Sequence, residues 1–205
     1  MNWVRAENAK TIAVLERDPR FAEIHASALA MAQARDRIPY VRFIAGALYN
    51  FWQDSAHVRG IWRRTTIASY RTDAPQWETI LDLDALSAAE GKNWVYKGSS
   101  CLPPQERLCL ISLSDGGKDA VTIREFDRTT RTFVAGGFVL PESKGGASWV
   151  DENTLLIARD FGPGTLTSSG YPMVVKVLTR GQTVDQARTV FTGQPTDVSV
   201  SGSSL

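Results

Sequence analysis

Over most of its length this chain alternates apolar and polar residues with a period of two, in runs of four to eight broken by Gly, Asp, Asn or Pro. The clearest case is the pair of runs 107–113 and 120–126, which flank Ser114-Asp115-Gly116-Gly117. Two β-branched, apolar runs around an Asp-Gly turn predict an antiparallel hairpin, because the turn needs residues that tolerate positive φ. A strand starting at Trp94 precedes them, and a strand at Thr132-Phe133-Val134 follows the polar turn 127–130. Four antiparallel strands result.

The same unit recurs on either side. Aromatic residues open comparable strands at Tyr40, Trp94 and Trp149, spaced 54 and 55 residues apart. Four strands repeating at about 50 residues are the signature of a propeller blade. The first blade is expected at 40–44, 48–52, 60–66 and 77–83, with Asp54-Ser55-Ala56-His57 as a loop and 84–91 as a short helical or turn link. The third is expected at 147–150, 154–159, 173–179 and 187–191, with a long connection at 161–172. Thr196–Val200 reads as the opening strand of a fourth.

The first 35 or so residues follow a helical period instead. Val4, Asn8, Thr11, Ile12 and Leu15 fall near one face of a first helix, and Phe21, Ile24, Ala28, Met31 and Ala32 near one face of a second. Asp18-Pro19 between them is a start signal, a capping carboxylate followed by proline at the first helical position. The expected fold is therefore mainly β, a partial propeller of about three four-stranded antiparallel blades preceded by two α-helices. Its domains are a helical segment at 1–36 and the partial propeller at 37–205, with blades at about 38–84, 91–140 and 145–193 and the start of a fourth at 195–205.

Composition narrows the function. A formal charge of +1 with 22% charged residues gives no net pull toward phosphate backbones, so nucleic acid is not an expected partner. No apolar run approaches the roughly 18 residues that would span a bilayer, and Met1–Glu7 lacks a basic segment followed by an apolar one. A cytoplasmic protein without membrane contact is expected. Cys101 and Cys109 lie on either side of Pro103-Pro104-Gln105-Glu106, where a hairpin could bring them close. In a reducing compartment, two lone cysteines are more often small buried apolar groups than a bridge, and without nearby histidines they do not fill a zinc site. His25 borders the second helix's apolar stripe and reads as a surface residue. The glycine-rich loop at 161–172 lacks the Lys-Ser or Lys-Thr of a phosphate cradle. No metal or cofactor is expected.

In order along the chain, Trp3–Thr11, then 49–53 with 60–65, then 113–119 with 122–124, and finally 147–149 with 180–182 and 190–191, resemble the successive helical and blade segments of the prolyl oligopeptidase family of serine peptidases. The resemblance implies a seven-bladed propeller that caps an α/β-hydrolase domain and admits only short peptides, cleaved after proline. It also implies that this chain's partners are that peptidase domain and, in the full-length enzyme, short peptides. The catalytic Ser, Asp and His of that fold follow the propeller. The 205 residues hold no Gly-x-Ser-x-Gly elbow and only two histidines, both in the first third, so no catalytic residue carries over and no substrate-binding residue is assigned. An arc of three blades leaves two faces uncovered, and at about 25 cal/mol per Å² each face of a few hundred Å² forfeits on the order of several kcal/mol. The alternative expectation is a non-catalytic propeller-type binding module that self-associates through those faces.

Overall fold

The structure is a computed structural model that describes residues 1–34 and 36–204. Arg35, at the expected end of the second helix, and Leu205, at the end of the expected fourth-blade opening, lie outside the described residues. Contacts divide the chain into two compact units, one reaching to Pro39 and one beginning at Tyr40.

The first unit is a pair of helices, α1 (Asn2–Leu15) and α2 (Phe21–Ala32). The turn between them differs in detail from the expected start signal. Asp18 accepts a hydrogen bond from Arg20 N at 2.9 Å and pairs with the Arg20 guanidinium at 2.8 Å, so it closes the turn ahead of the helix. Pro19 precedes the N-cap Arg20 and lies outside α2. No residue of either helix is buried, and His25 stacks on Phe21 with ring centroids 5.9 Å apart.

The second unit holds three antiparallel sheets in chain order. The first comprises β1 (Arg42–Ile44), β2 (Ala47–Trp52), β3 (Ile61–Thr65) and β4 (Glu78–Asp82). A short helix, α3 (Ile67–Tyr70), lies between β3 and β4, capped by the Thr66 hydroxyl. The link to the second sheet is α4 (Leu83–Glu90). Asp82 caps it by accepting from Ala85 N at 2.9 Å, and Gly91 ends it in the left-handed conformation, the arrangement in which glycine carries no Cβ penalty.

The second sheet comprises β5 (Trp94–Cys101), β6 (Leu108–Asp115), β7 (Val121–Asp127), β8 (Thr132–Phe133) and β9 (Val139–Ser143). Gly116 and Gly117 turn β6 into β7, both at positive φ, which is why the Asp-Gly-Gly signal was legible. Both β8 and β9 pair with β7, β8 at Phe126 and Asp127 and β9 from Val121 to Arg124. They are two halves of one fourth strand, interrupted around 134–137. The sequence pattern did not show β9, which contains Pro141 and follows Gly136-Gly137.

The third sheet comprises β10 (Gly145–Asp151), β11 (Thr154–Arg159), β12 (Val174–Thr179) and β13 (Arg188–Thr192). Thr196–Val200, expected as a strand, forms none. Its backbone is held by isolated bonds instead: Val200 N donates to Pro172 O at 2.8 Å, and the hydroxyls of Thr167 and Ser169 donate to Val198 O.

The repeat is carried by the strands and not by the aromatic residues. The sheets begin at Arg42, Trp94 and Gly145, 52 and 51 residues apart. Trp94 opens β5, but Trp149 sits near the end of β10, and Tyr40 precedes β1 with 87% of its surface exposed. The expected equivalence of these three residues is therefore corrected.

Alternation in β6 explains how the sheets stack. Cys109, Ile111 and Leu113 point into a core shared with Tyr49, Trp62 and Leu81 of the first sheet, whereas Leu110 joins Trp149, Leu155 and Ile157 of the third. A strand buried on both faces must be apolar on both, and the middle sheet meets that need.

Candidate functional site: the junctions between blades

The junctions combine aromatic packing with buried charge. Between the first two blades, Tyr49 and Trp62 lie 5.3 Å apart and Trp62 and Phe126 6.3 Å apart. Arg128, buried, reaches across to donate to the Tyr49 hydroxyl at 2.6 Å. Glu78 of β4 accepts from Arg64 of its own blade at 2.5 Å and from Arg131 of the second. Glu90 of α4 pairs with Arg124 of β7 at 2.7 Å and accepts from Trp94 Nε1 at 2.8 Å.

Between the second and third blades one pair dominates. The Glu125 side chain is 0% exposed and pairs with the Arg180 guanidinium through two parallel bonds of 2.8 and 3.0 Å. Glu125 also fills the break in the fourth strand, where its Oε2 accepts from Phe138 N at 2.8 Å. Arg180 lies over the Phe138 ring at 4.6 Å. Trp149 packs edge-on against Phe138 and donates its Nε1 to Ser100 O at 2.9 Å.

Cys101 and Cys109 are joined by a disulfide. The expectation of two reduced, buried thiols is overturned by register: β5 and β6 pair with Cys101 directly opposite Cys109. The bridge closes the loop 102–107, which leans on the first blade. Ala45 N donates to Glu106 Oε2 at 2.7 Å.

On the first blade Arg63 lies between the rings of Trp52 and Trp77, 4.3 and 4.2 Å from their centroids, and donates to Asn50 Oδ1 at 3.0 Å. Burial lowers the guanidinium to about 10, although the charge of Asp54 works the other way. Burial also works to raise Asp54, but bonds from His57 N, Trp52 Nε1, Ala56 N and the His57 ring outweigh it and hold the carboxyl at about 2. The His57–Asp54 contact is 3.1 Å. Among the described residues no serine hydroxyl is hydrogen-bonded to His57 or His25, and no group of three or more His, Cys, Asp or Glu is placed to hold a metal ion.

Among the described residues, clefts open at the junctions between blades. One of about 500 Å³ lies beside Arg59, Asp84 and Asn93, where Asp84 accepts from Arg59 N and Gly60 N. One of about 410 Å³ is walled by Phe51, Trp62 and Tyr96, with Phe51 and Tyr96 stacked at 4.4 Å. Burial pushes the Tyr96 phenol above its ordinary value, against a hydrogen bond with Ser99 and the charge of Arg42. The third, about 380 Å³, lies between Gly145-Gly146 and Ser199–Gly202. At its edge Asp119 accepts from the Tyr171 hydroxyl and pairs with Lys144, which sits 4.3 Å over the Tyr171 ring. None of these clefts was legible as a site, because each is made from residues some 50 positions apart.

Three successive antiparallel four-strand meanders, stacked face to face and repeating every 51 or 52 residues, define an arc of a β-propeller. The family model for the N-terminal β-propeller domain of prolyl oligopeptidase matches residues 1–205, and the chain belongs to that family. It is 56% identical over 200 residues to an uncharacterized peptidase, y4nA, of Sinorhizobium fredii (strain NBRC 101917 / NGR234), covering 97% of this chain and 28% of that protein. It is 32% identical over 200 residues to an uncharacterized peptidase, RP174, of Rickettsia prowazekii (strain Madrid E), covering 93% of this chain and 28% of the relative. A post-proline cleaving enzyme from Rickettsia typhi superposes with a TM-score of 0.90 at 30% identity, over 100% of this chain and 31% of the enzyme. Prolyl oligopeptidase B from Galerina marginata, bound to a 35mer substrate, shares the fold alone, with a TM-score of 0.60 at 16% identity over 93% of this chain and 28% of that one. The chain thus spans less than a third of these relatives. No helix among the described residues is long and apolar enough to cross a membrane.

Proposed function

We propose that this chain is the gating portion of a serine peptidase that hydrolyses short peptides after proline, and that the chemistry resides in an α/β-hydrolase domain belonging to the same protein. The observation that carries this reading is the likeness to the Rickettsia typhi post-proline cleaving enzyme over the whole of this chain. A propeller built from stiff, ion-paired junctions would admit an extended peptide and turn away a folded protein. The peptidase domain and short peptides are the partners in this proposal.

The test begins with the coding sequence past Leu205. Further blades followed by a Gly-x-Ser-x-Gly elbow support the reading, and a stop at that point opposes it. The longer product is then assayed with matched chromogenic peptides bearing Pro or Ala before the scissile bond. Selective release after Pro that is lost to a serine-directed inhibitor is expected, and equal release from both would oppose the specificity.

A second reading rests on one observation. Phe191 is 56% exposed and Val190 and Val150 are 43% and 44% exposed on the third blade, so a self-associating, non-catalytic module has an apolar surface to use. Sedimentation separates the two: a discrete, stable oligomer of this chain favours the module. A cytoplasmic location also belongs to the proposal, and the Cys101–Cys109 bridge is the observation that weighs against a reducing compartment.

A further inference from the structure

The cleft between the first strands of blades one and two has a chemistry that the other two lack. Its walls are aromatic, from Phe51, Trp62 and Tyr96, with Tyr40 at the mouth. Among the described residues, the one charged side chain that lines it is Arg42, whereas the neighbouring clefts contain Asp84 and Asp119. Arg42 is exposed and makes no ion pair among the described residues. Two strands border the cleft, β1 and β5, and each pairs on one side only, so both offer an unpaired backbone edge.

Aromatic-lined grooves suit proline-bearing segments, because the flat pyrrolidine ring packs on aromatic faces and the chain arrives already extended. A guanidinium without an ion pair among the described residues suits a carboxylate, the group it binds through two parallel bonds. At about 410 Å³ the cleft has room for the end of a peptide and not for a folded domain. We propose that this cleft binds the C-terminal end of a short peptide, with an apolar or prolyl side chain against Tyr40, Phe51 and Tyr96 and the free carboxylate on Arg42. Only the choice of ligand rests on the peptidase reading above.

Calorimetric titration of this chain with N-acetyl-Ala-Pro as the free acid, and with the same dipeptide as its amide, tests it. The acid should bind saturably at one site and the amide about tenfold more weakly, the difference a charge-assisted bond makes. Arg42→Gln should bring acid and amide level, and Tyr40→Ala should weaken both. Arg42 and Tyr40 are exposed, so both variants should melt at the temperature of the parent chain, which separates lost binding from lost folding. N-acetyl-Ala-Gly acid should bind more weakly than its prolyl counterpart. Absence of saturable binding, equal binding of acid and amide to the parent chain, or an acid preference that survives in Arg42→Gln would overturn the proposal. Because the readout is binding to this chain, hydrolysis by the longer protein can fail while the cleft binds, and the reverse.

Discussion

Glu125 is the residue whose removal should cost this arc most. Its carboxylate has no exposed surface, it accepts two bonds from Arg180 across the blade junction, and it accepts a third from Phe138 N inside its own sheet. Truncation in Glu125→Ala leaves a buried amide without an acceptor and a guanidinium without its carboxylate, held by the oxygens of Glu152 and Asn153. Breaking a buried pair from one side costs about 3–5 kcal/mol, but the Arg180 side chain is 28% exposed and recovers part of that by hydration, so about 3 kcal/mol is the expected loss. For a unit of this size that corresponds to a melting temperature lower by roughly 6–12 °C. Denaturant unfolding followed by tryptophan fluorescence measures it, because Trp149 reports on the same junction. Arg180→Met and the double variant complete a cycle, in which a coupling of at least about 1 kcal/mol is expected. A single-variant loss below about 1 kcal/mol, or simple additivity in the cycle, would refute the idea that this pair locks the second blade to the third.

Gly60→Ala should destabilise the first blade by about 2–4 kcal/mol. The position has φ +100°, and an added Cβ would lie 2.5 Å from Phe51 Cζ, so a thermal melt within 1 °C of the parent would contradict the packing described. Asp54 sits at about 2 against an ordinary 3.8. A depressed carboxyl contributes stability that is present above about pH 4 and disappears as pH falls through about 2. Asp54→Asn should therefore flatten the decline of melting temperature across that acid window, and parallel profiles for the two proteins would count against the His57–Asp54 loop. Denatured without reductant, the chain should show no titratable thiol, and after reduction two; two thiols at the outset would contradict the Cys101–Cys109 bridge.

What the sequence disclosed follows the range over which each signal acts. Strands β2, β3, β6, β7, β11 and β12 were legible because alternation is local and their turns carry glycine or aspartate. The strand β9 was not, because Pro141 and Gly136-Gly137 argue against a strand unless β7 is already in place to pair with it. Thr196–Val200 shows the converse: Val198 and Val200 alternate properly, yet that backbone bonds to Pro172, Thr167 and Ser169 singly instead of forming a ladder. The cysteine pairing needed the register of β5 on β6, including a shift between Tyr96 and Gly98, which spacing alone does not give. Glu125 and Arg180 are 55 residues apart, and nothing local marks either as the other's partner. The clefts fall in the same class, since Arg42 and Tyr96 meet only after two blades have stacked.

In the proposed function this chain selects peptides and leaves their cleavage to another domain. Incubation of the purified 205-residue chain with a chromogenic prolyl peptide tests it most directly. No release above the uncatalysed rate is the expected result, and release that a serine-directed inhibitor abolishes would contradict it.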